Sequence, residues 1–175
     1  INKEKNYLYK KENFEFIDGI FELCQYATKQ GYLIFVVTNQ AGIGRGYYTE
    51  RQFHELTKWM CEEFSKNNVT VEKVYFCPFH EKHGIGKYKK ASKFRKPEPG
   101  MILELADEHN IELSTSYMIG DNWKDIVSGA ASGCSTVLIK KPYNKNVNAD
   151  FHVDSLREAV NLIISSGESS NELYQ

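Results

Sequence analysis

Neither sign of charge dominates this 175-residue chain: 22 Lys and Arg stand against 23 Asp and Glu, a formal net charge of -1. That balance argues against a nucleic-acid surface as its main purpose. A local basic cluster, Lys87-Tyr88-Lys89-Lys90, reads as a solvated loop. No apolar run approaches the ~20 residues that a membrane-spanning helix needs, so no membrane partner is expected. Cysteine is scarce, with four residues at 24, 61, 77 and 134, mostly inside apolar patterns. Such spacing favours buried, reduced thiols in a cytoplasmic protein over a disulfide framework. No internal repeat is visible. The length suits one core, so a single domain is expected over residues 1–164, with a frayed Ser/Glu/Asn-rich tail at 165–175. The chain begins at Ile1 rather than Met, so residues upstream of it are expected, and a targeting segment among them stays open.

What is present alternates between two periodicities. Asp18 can cap a helix whose apolar face is Ile20, Phe21, Leu23, Cys24 and Ala27, with Gly31 to end it. Tyr32 to Val37 is an apolar run of strand length, followed by the Gly-rich turn Thr38-Asn39-Gln40-Ala41-Gly42-Ile43-Gly44-Arg45-Gly46. Thr49 and Gln52 form a capping box before the helical stripe Phe53, Leu56, Met60 and Phe64. Val71 to Cys77 predicts a strand, Pro78 to Phe94 a long loop, and Pro99 the start of a helix through Ala106. Strands are expected at Tyr117 to Ile119, Thr136 to Ile139 and Phe151 to Val153. A helix marked by Ile126, Val127, Ala130 and Ala131 precedes Gly133, and Ser155 with Glu158 caps a last helix through Ile164. Strands alternating with helices imply an α/β fold with a parallel sheet covered on both faces. Ligands of such sheets sit beyond the carboxyl ends of the strands, where Thr38 and Asp121 fall.

Three features there suit phosphate chemistry. Asp121 and Asp125 stand four apart across a strand-to-helix junction, and hard oxygen ligands of that kind suit Mg²⁺ beside a substrate phosphate. Taken alone, the pair reads better as a helix cap at Asp121 with a solvated Asp125, since capping is common. Lys96 is a point charge for a phosphoryl oxygen, and Arg95 beside it can grip phosphate with its planar fork, although an isolated Arg-Lys pair is usually surface. The Thr38 hydroxyl and the backbone N–H groups after it can cradle an anion. All three occur in order, each at a junction.

The order strand-Thr38, Lys96, Gly120-Asp121-x-x-x-Asp125 resembles motifs two to four of the haloacid dehalogenase superfamily. More narrowly, Thr38 to Gly46 and Arg95-Lys96-Pro97-Glu98-Pro99-Gly100-Met101 are similar to the D-glycero-D-manno-heptose 1,7-bisphosphate 7-phosphatases, as is Asn13-Phe14-Glu15-Phe16-Ile17-Asp18-Gly19. The resemblance covers nearly the whole chain. It implies a Rossmann-like three-layer sandwich of the haloacid dehalogenase type, without a large cap domain, and a monomer. It also implies a Mg²⁺-dependent phosphatase that removes the C7 phosphate through an aspartyl-phosphate, serving ADP- or GDP-heptose and lipopolysaccharide biosynthesis. Carried over by position, Thr38 and Lys96 steady the phosphoryl group, and Asp121 binds Mg²⁺ with Asp125 beside it. Glu4, Lys5, Asn6, Tyr7, Asn39, Gln40, Ala41, Arg45, Arg95 and Asn122 line the sugar phosphate.

In the family an Asp-x-Asp motif precedes Ile-Asn, on a first strand central in the sheet. This chain starts at Ile1-Asn2, so nucleophile, acid-base and first strand are expected just upstream. Two departures stand out. Many members carry a zinc loop, Cys-x-His then Cys-x-Cys, whereas here Cys77 is followed by Phe79 at the His position, and Ser92 and Phe94 replace the later cysteines. His80 and His83 do not complete a four-ligand site, so zinc is not expected. Asn122 also replaces a Lys of some members. Alternative readings are a histidinol-phosphate phosphatase, against which Arg45, Arg95 and Lys96 weigh by favouring a second phosphate, and a non-catalytic sugar-phosphate-binding protein should the upstream motif be lacking.

Overall fold

The computed structural model describes residues 1–3 and 7–171. Glu4, Lys5 and Asn6, expected at the sugar phosphate, and the last four residues of the expected tail lie outside them. The elements alternate as their periodicities require: α1 (Ile20–Lys29), β1 (Ile34–Asn39), a one-turn α2 (Ala41–Gly44), α3 (Glu50–Lys66), β2 (Val71–Cys77), α4 (Gly100–His109), β3 (Tyr117–Gly120), α5 (Trp123–Ser132), β4 (Ser135–Ile139), β5 (Phe151–Val153) and α6 (Leu156–Asn171).

Several boundaries differ from expectation for local reasons. Asp18 does not cap α1; Gly19 does so in a left-handed conformation (φ 82°), and Asp18 instead stands 4.0 Å from Arg157. β1 begins two residues late and runs through Thr38, because parallel pairing with β2 continues from Phe35↔Lys73 to Asn39↔Cys77, extended by a bond from Gln40 N to Cys77 O (2.8 Å). Thr38 is therefore inside the strand rather than just past it. The last helix continues beyond Ile164 to Asn171, so the stretch expected to fray is partly helical. The capping box of α3 is as expected, with Thr49 Oγ1 accepting from Gln52 N and Gln52 Oε1 accepting from Thr49 N.

All strand pairs are parallel, but they fall into two sheets, β1-β2 and β3-β4-β5. Side-chain alternation along the strands sorts the core into two layers. Ile34, Val36, Ile119, Val137, Ile139 and Val153 face α1, α3 and α6, where Leu23, Cys24, Met60, Phe64, Leu156 and Ile163 are buried. Phe35, Val37, Tyr75 and Cys77 face α4 through Met101 and Leu105. The result is a helix-sheet-helix sandwich. Phe14, Phe16, Phe21, Trp59 and Phe64 form a chain of tilted and edge-on aromatic contacts that seats the N-terminal segment on α1 and α3.

The two sheets do not hydrogen-bond to each other. Their edges, β1 and β3, face across a cavity of about 950 Å³ lined by Ile34 to Asn39 and Tyr117 to Gly120, floored by Leu23, Cys24 and Ile163 and roofed by Ile102 and Leu105. No helix among the described residues is long and apolar enough to cross a membrane.

Candidate active site

The site lies at the carboxyl ends of β1 and β3, at the mouth of that cavity. Lys96 reaches it from the long loop before α4, and its backbone is held on both sides by one side chain. Asn39 Oδ1 accepts from Lys96 N (3.0 Å) while Asn39 Nδ2 donates to Lys96 O (2.9 Å). The following peptide bond to Pro97 is cis. The Lys96 ammonium then spans the gap from β1 to α5, donating to Val37 O of β1 (2.7 Å) and pairing with Asp125 Oδ1 of α5 at 2.6 Å. Both partners are nine-tenths buried, and a pair so buried survives only when its remaining hydrogen-bonding groups are satisfied.

Asp125 meets that condition through its second oxygen, which accepts from Asn122 N (3.2 Å) in the capping box of α5. Asn122 completes the box by accepting from Lys124 N (3.1 Å). The cap of α5 is thus Asn122, not Asp121. Gly120 makes this packing possible: a Cβ there would stand 2.4 Å from Asp125 Cβ, closer than any real contact. Asp121 is left at the strand end, half-buried, as the carboxylate nearest the mouth that is not spent on Lys96 or on the cap.

Thr38 is oriented by a relay. The Tyr48 hydroxyl donates to Gln40 Oε1 in a very short bond, and Gln40 Nε2 donates to Thr38 Oγ1 at 2.9 Å. Burial pushes the Tyr48 phenol up to about 12, with a smaller contribution from Tyr7, so it remains a donor across the physiological range. Because Gln40 presents its NH₂ to Thr38, the Thr38 hydroxyl proton is available for an acceptor in the site. Ala41 opens the one-turn α2 beside it.

Arg45 and Arg95 stand together with His80 on the loop side. Arg45 Nη1 donates to the Tyr7 hydroxyl (2.9 Å), its guanidinium lies 5.8 Å from the Tyr7 ring centroid, and its Nε is buried with no partner among the described residues. Arg95 Nη1 donates to Phe79 O (3.1 Å), and burial is the main force lowering its pKa, with Arg45 adding to it. The His80 pKa is lowered by burial first, then by Arg95, His83, Arg45 and Lys124, all cationic or potentially so. The positive groups gathered around His80 suit a multiply charged anion. His80 Nδ1 accepts from Lys82 N and His83 N, and Phe79 packs against Tyr88 beneath Lys90. No group of three or more His, Cys, Asp or Glu positioned for a metal occurs among the described residues.

The structure therefore brings together Thr38, Lys96, Asp121 and Asp125, gives Asn39, Gln40 and Asn122 bonds that hold the site in shape, and groups Arg45, Arg95 and Tyr7 at one side. The sequence reading missed Tyr48, buried under the turn without any positional signal. It also missed Tyr143 and Asn144, whose place just past β4, on the same carboxyl edge, could have found them. Their hydrogen bonds to Asp121 come from the loop after that strand.

Comparison with known proteins bears on this geometry. A family model described as HAD-hydrolase-like matches residues 93–159. The D-glycero-alpha-D-manno-heptose-1,7-bisphosphate 7-phosphatase of Burkholderia mallei is 48% identical over 139 residues, covering 79% of this chain and 74% of its own. The D-glycero-beta-D-manno-heptose-1,7-bisphosphate 7-phosphatase of Vibrio cholerae is 38% identical, covering 94% of this chain and 91% of its own. The chain belongs to the heptose-1,7-bisphosphate 7-phosphatase family. A crystal structure of D,D-heptose 1.7-bisphosphate phosphatase from B. bronchiseptica, complexed with magnesium and phosphate, superposes with a TM-score of 0.80 at 19% identity, over 94% of this chain and 93% of that one. That likeness confirms the haloacid dehalogenase fold of this member of the heptose-bisphosphatase family.

Proposed function

We propose that the protein is a Mg²⁺-dependent phosphatase that removes the C7 phosphate of D-glycero-D-manno-heptose 1,7-bisphosphate, acting as a monomer in the cytoplasm on a freely diffusing sugar phosphate. The observation that carries this reading is the buried Lys96 ammonium, pinned between Val37 O and Asp125 beside Thr38 and Asp121 at the carboxyl edge. A fixed cation, a hydroxyl donor and a carboxylate converging there are what a transferring phosphoryl group needs. Relatives of both anomeric names match the chain, so the anomer is left to experiment.

Each residue has a definite task. The nucleophile is an aspartate on a strand preceding Ile1, entering the cavity between β1 and β3. Ile1 lines the same cavity as Thr38, Lys96, Asp121 and Asp125, which supports that placement. The carboxylate attacks phosphorus, the P–O bond to C7 breaks, and a second upstream aspartate gives its proton to the departing alkoxide. Water, deprotonated by the same aspartate, then attacks phosphorus of the acyl phosphate, releasing inorganic phosphate and restoring the nucleophile. Lys96 and Thr38 hold the equatorial phosphoryl oxygens throughout. Arg45 and Arg95 bind the second phosphate, which a bisphosphate supplies and a cationic amino alcohol does not.

The residues present fit magnesium: Asp121 offers an oxygen donor at the strand end, and Mg²⁺ is bound through one or two carboxylates together with phosphate and water. Asp121 would hold it, with Asp125 acting as a supporting acid through Lys96; when bound, the ion neutralises phosphoryl charge. Zinc has no part in this reading.

The test is phosphate release by the product of the complete gene, with and without EDTA. Both anomers of the heptose bisphosphate and histidinol phosphate are compared. Mg²⁺-dependent turnover of the bisphosphate is expected to exceed that of histidinol phosphate by at least a hundredfold. Tight binding without any turnover would replace the enzyme by a sugar-phosphate-binding protein.

A further inference from the structure

The loop after β4 closes over the back of Asp121, using residues that no part of the proposed reaction requires. Asn144 is 4% exposed, and its amide is fully engaged. Its Nδ2 donates to Asp121 O (2.8 Å) and to Ile139 O (2.9 Å), and its Oδ1 accepts from Lys141 N (2.8 Å). One side chain thereby ties the end of β3 to the end of β4. The neighbouring Tyr143 is 58% exposed, yet its hydroxyl donates to Asp121 Oδ2 at 2.7 Å. The backbone and the carboxylate of Asp121 are thus held by consecutive residues of the same loop.

We infer that Tyr143 is a positioning residue for the cation-binding carboxylate: its hydroxyl occupies one oxygen of Asp121 and presents the other to Mg²⁺, while Asn144 fixes the backbone on which that carboxylate turns. A carboxylate at a half-buried strand end can otherwise rotate about two side-chain bonds, and binding a cation must then stop that motion. A donated hydrogen bond does so beforehand. It also withdraws some charge from the carboxylate, which weakens its attraction for the ion. Partners that orient a metal ligand nonetheless sustain affinity in general, and their removal typically costs ten- to a hundredfold. The inference rests on the reading that Asp121 holds Mg²⁺, and extends it to residues outside the motifs of the chain.

Tyr143→Phe removes the hydroxyl alone and, at an exposed ring, leaves the fold intact. In the product of the complete gene, the Kd for Mg²⁺ measured by titration calorimetry is expected to rise about tenfold. The Mg²⁺ concentration for half-maximal turnover should rise in parallel, with kcat at saturating Mg²⁺ within twofold of wild type and an unchanged melting temperature. A rise in Kd of less than threefold, or tighter binding, overturns the inference. Wild-type protein that binds no Mg²⁺ overturns the metal reading and this inference together. Wild type that binds while the variant binds equally well overturns the inference alone.

Discussion

Lys96, the cation of the proposed phosphoryl site, also bridges β1 and α5, and the second role makes the first costly to alter. Removing Asp125 leaves a buried ammonium with only Val37 O, and breaking a buried pair from one side costs about 3–5 kcal/mol. Asp125→Ala is therefore expected to lower the urea midpoint sharply and to abolish turnover, whereas a solvated Asp125 would leave stability within ~0.5 kcal/mol. Tyr48→Phe is a subtler case. Gln40 then loses the donor that sets the sense of its amide, and Thr38 no longer receives a fixed NH₂. A fall in kcat of roughly tenfold with KM little changed is expected, since the lost bond orients a group that acts in the transition state. An unchanged kcat would show that Gln40 holds its orientation without Tyr48. At this scale the motif residues were legible in the sequence because each sits at a junction between periodicities. Tyr48 was not, because a hydroxyl's partner depends on which turn lands beside it in space, and Tyr143 carried only the signal of its place past β4.

Elements depend on the same small set of polar ties. β4 and β5 are joined through Asp150, whose carboxylate accepts from the Thr136 hydroxyl and from Thr136 N, each at 2.7 Å. These bonds, the hydroxyl first, hold the Asp150 pKa below its ordinary 3.8. A group whose pKa is depressed in the folded state contributes stability above its unfolded value and loses it as pH falls through the folded one. Asp150→Asn is thus expected to cost about 1 kcal/mol at neutral pH, and the gap from wild type should begin to narrow only below pH 3.8, as pH falls toward the lower folded-state value. Chemical denaturation at a series of pH values from 7 down through the acid range checks this; a difference that does not narrow at any pH below 3.8 would place the effect in packing instead. The capping box at Thr49 was more readable than Asp150, because both of its partners lie within one turn of sequence. The choice between Asp121 and Asn122 as the cap of α5 could not be read that way, since both are good caps and only the pairing of Asp125 with distant Lys96 decides it.

The whole molecule is divided by the cavity between β1 and β3. In a parallel ladder alternate residues point their N–H and C=O groups to opposite sides, so half the backbone of β1 faces away from β2. Val37 shows this directly, its carbonyl being taken by Lys96 from the cavity side. A partly buried slot flanked by two parallel strand edges that, among the described residues, pair with no further strand has the shape of one more strand, and unpaired backbone away from water is costly. Hydrogen exchange on residues 1–175 is expected to show fast exchange at cavity-facing amides of β1 and β3, including Phe35 and Val37, and slow exchange within the β3-β4 ladder at Val137. In the product of the complete gene, the same β1 and β3 amides should gain at least a hundredfold protection if the segment preceding Ile1 enters as a parallel strand. Equal exchange in the two proteins would show that the segment lies elsewhere, and the nucleophile assigned to it would then have no place at the mouth beside Lys96 and Asp121.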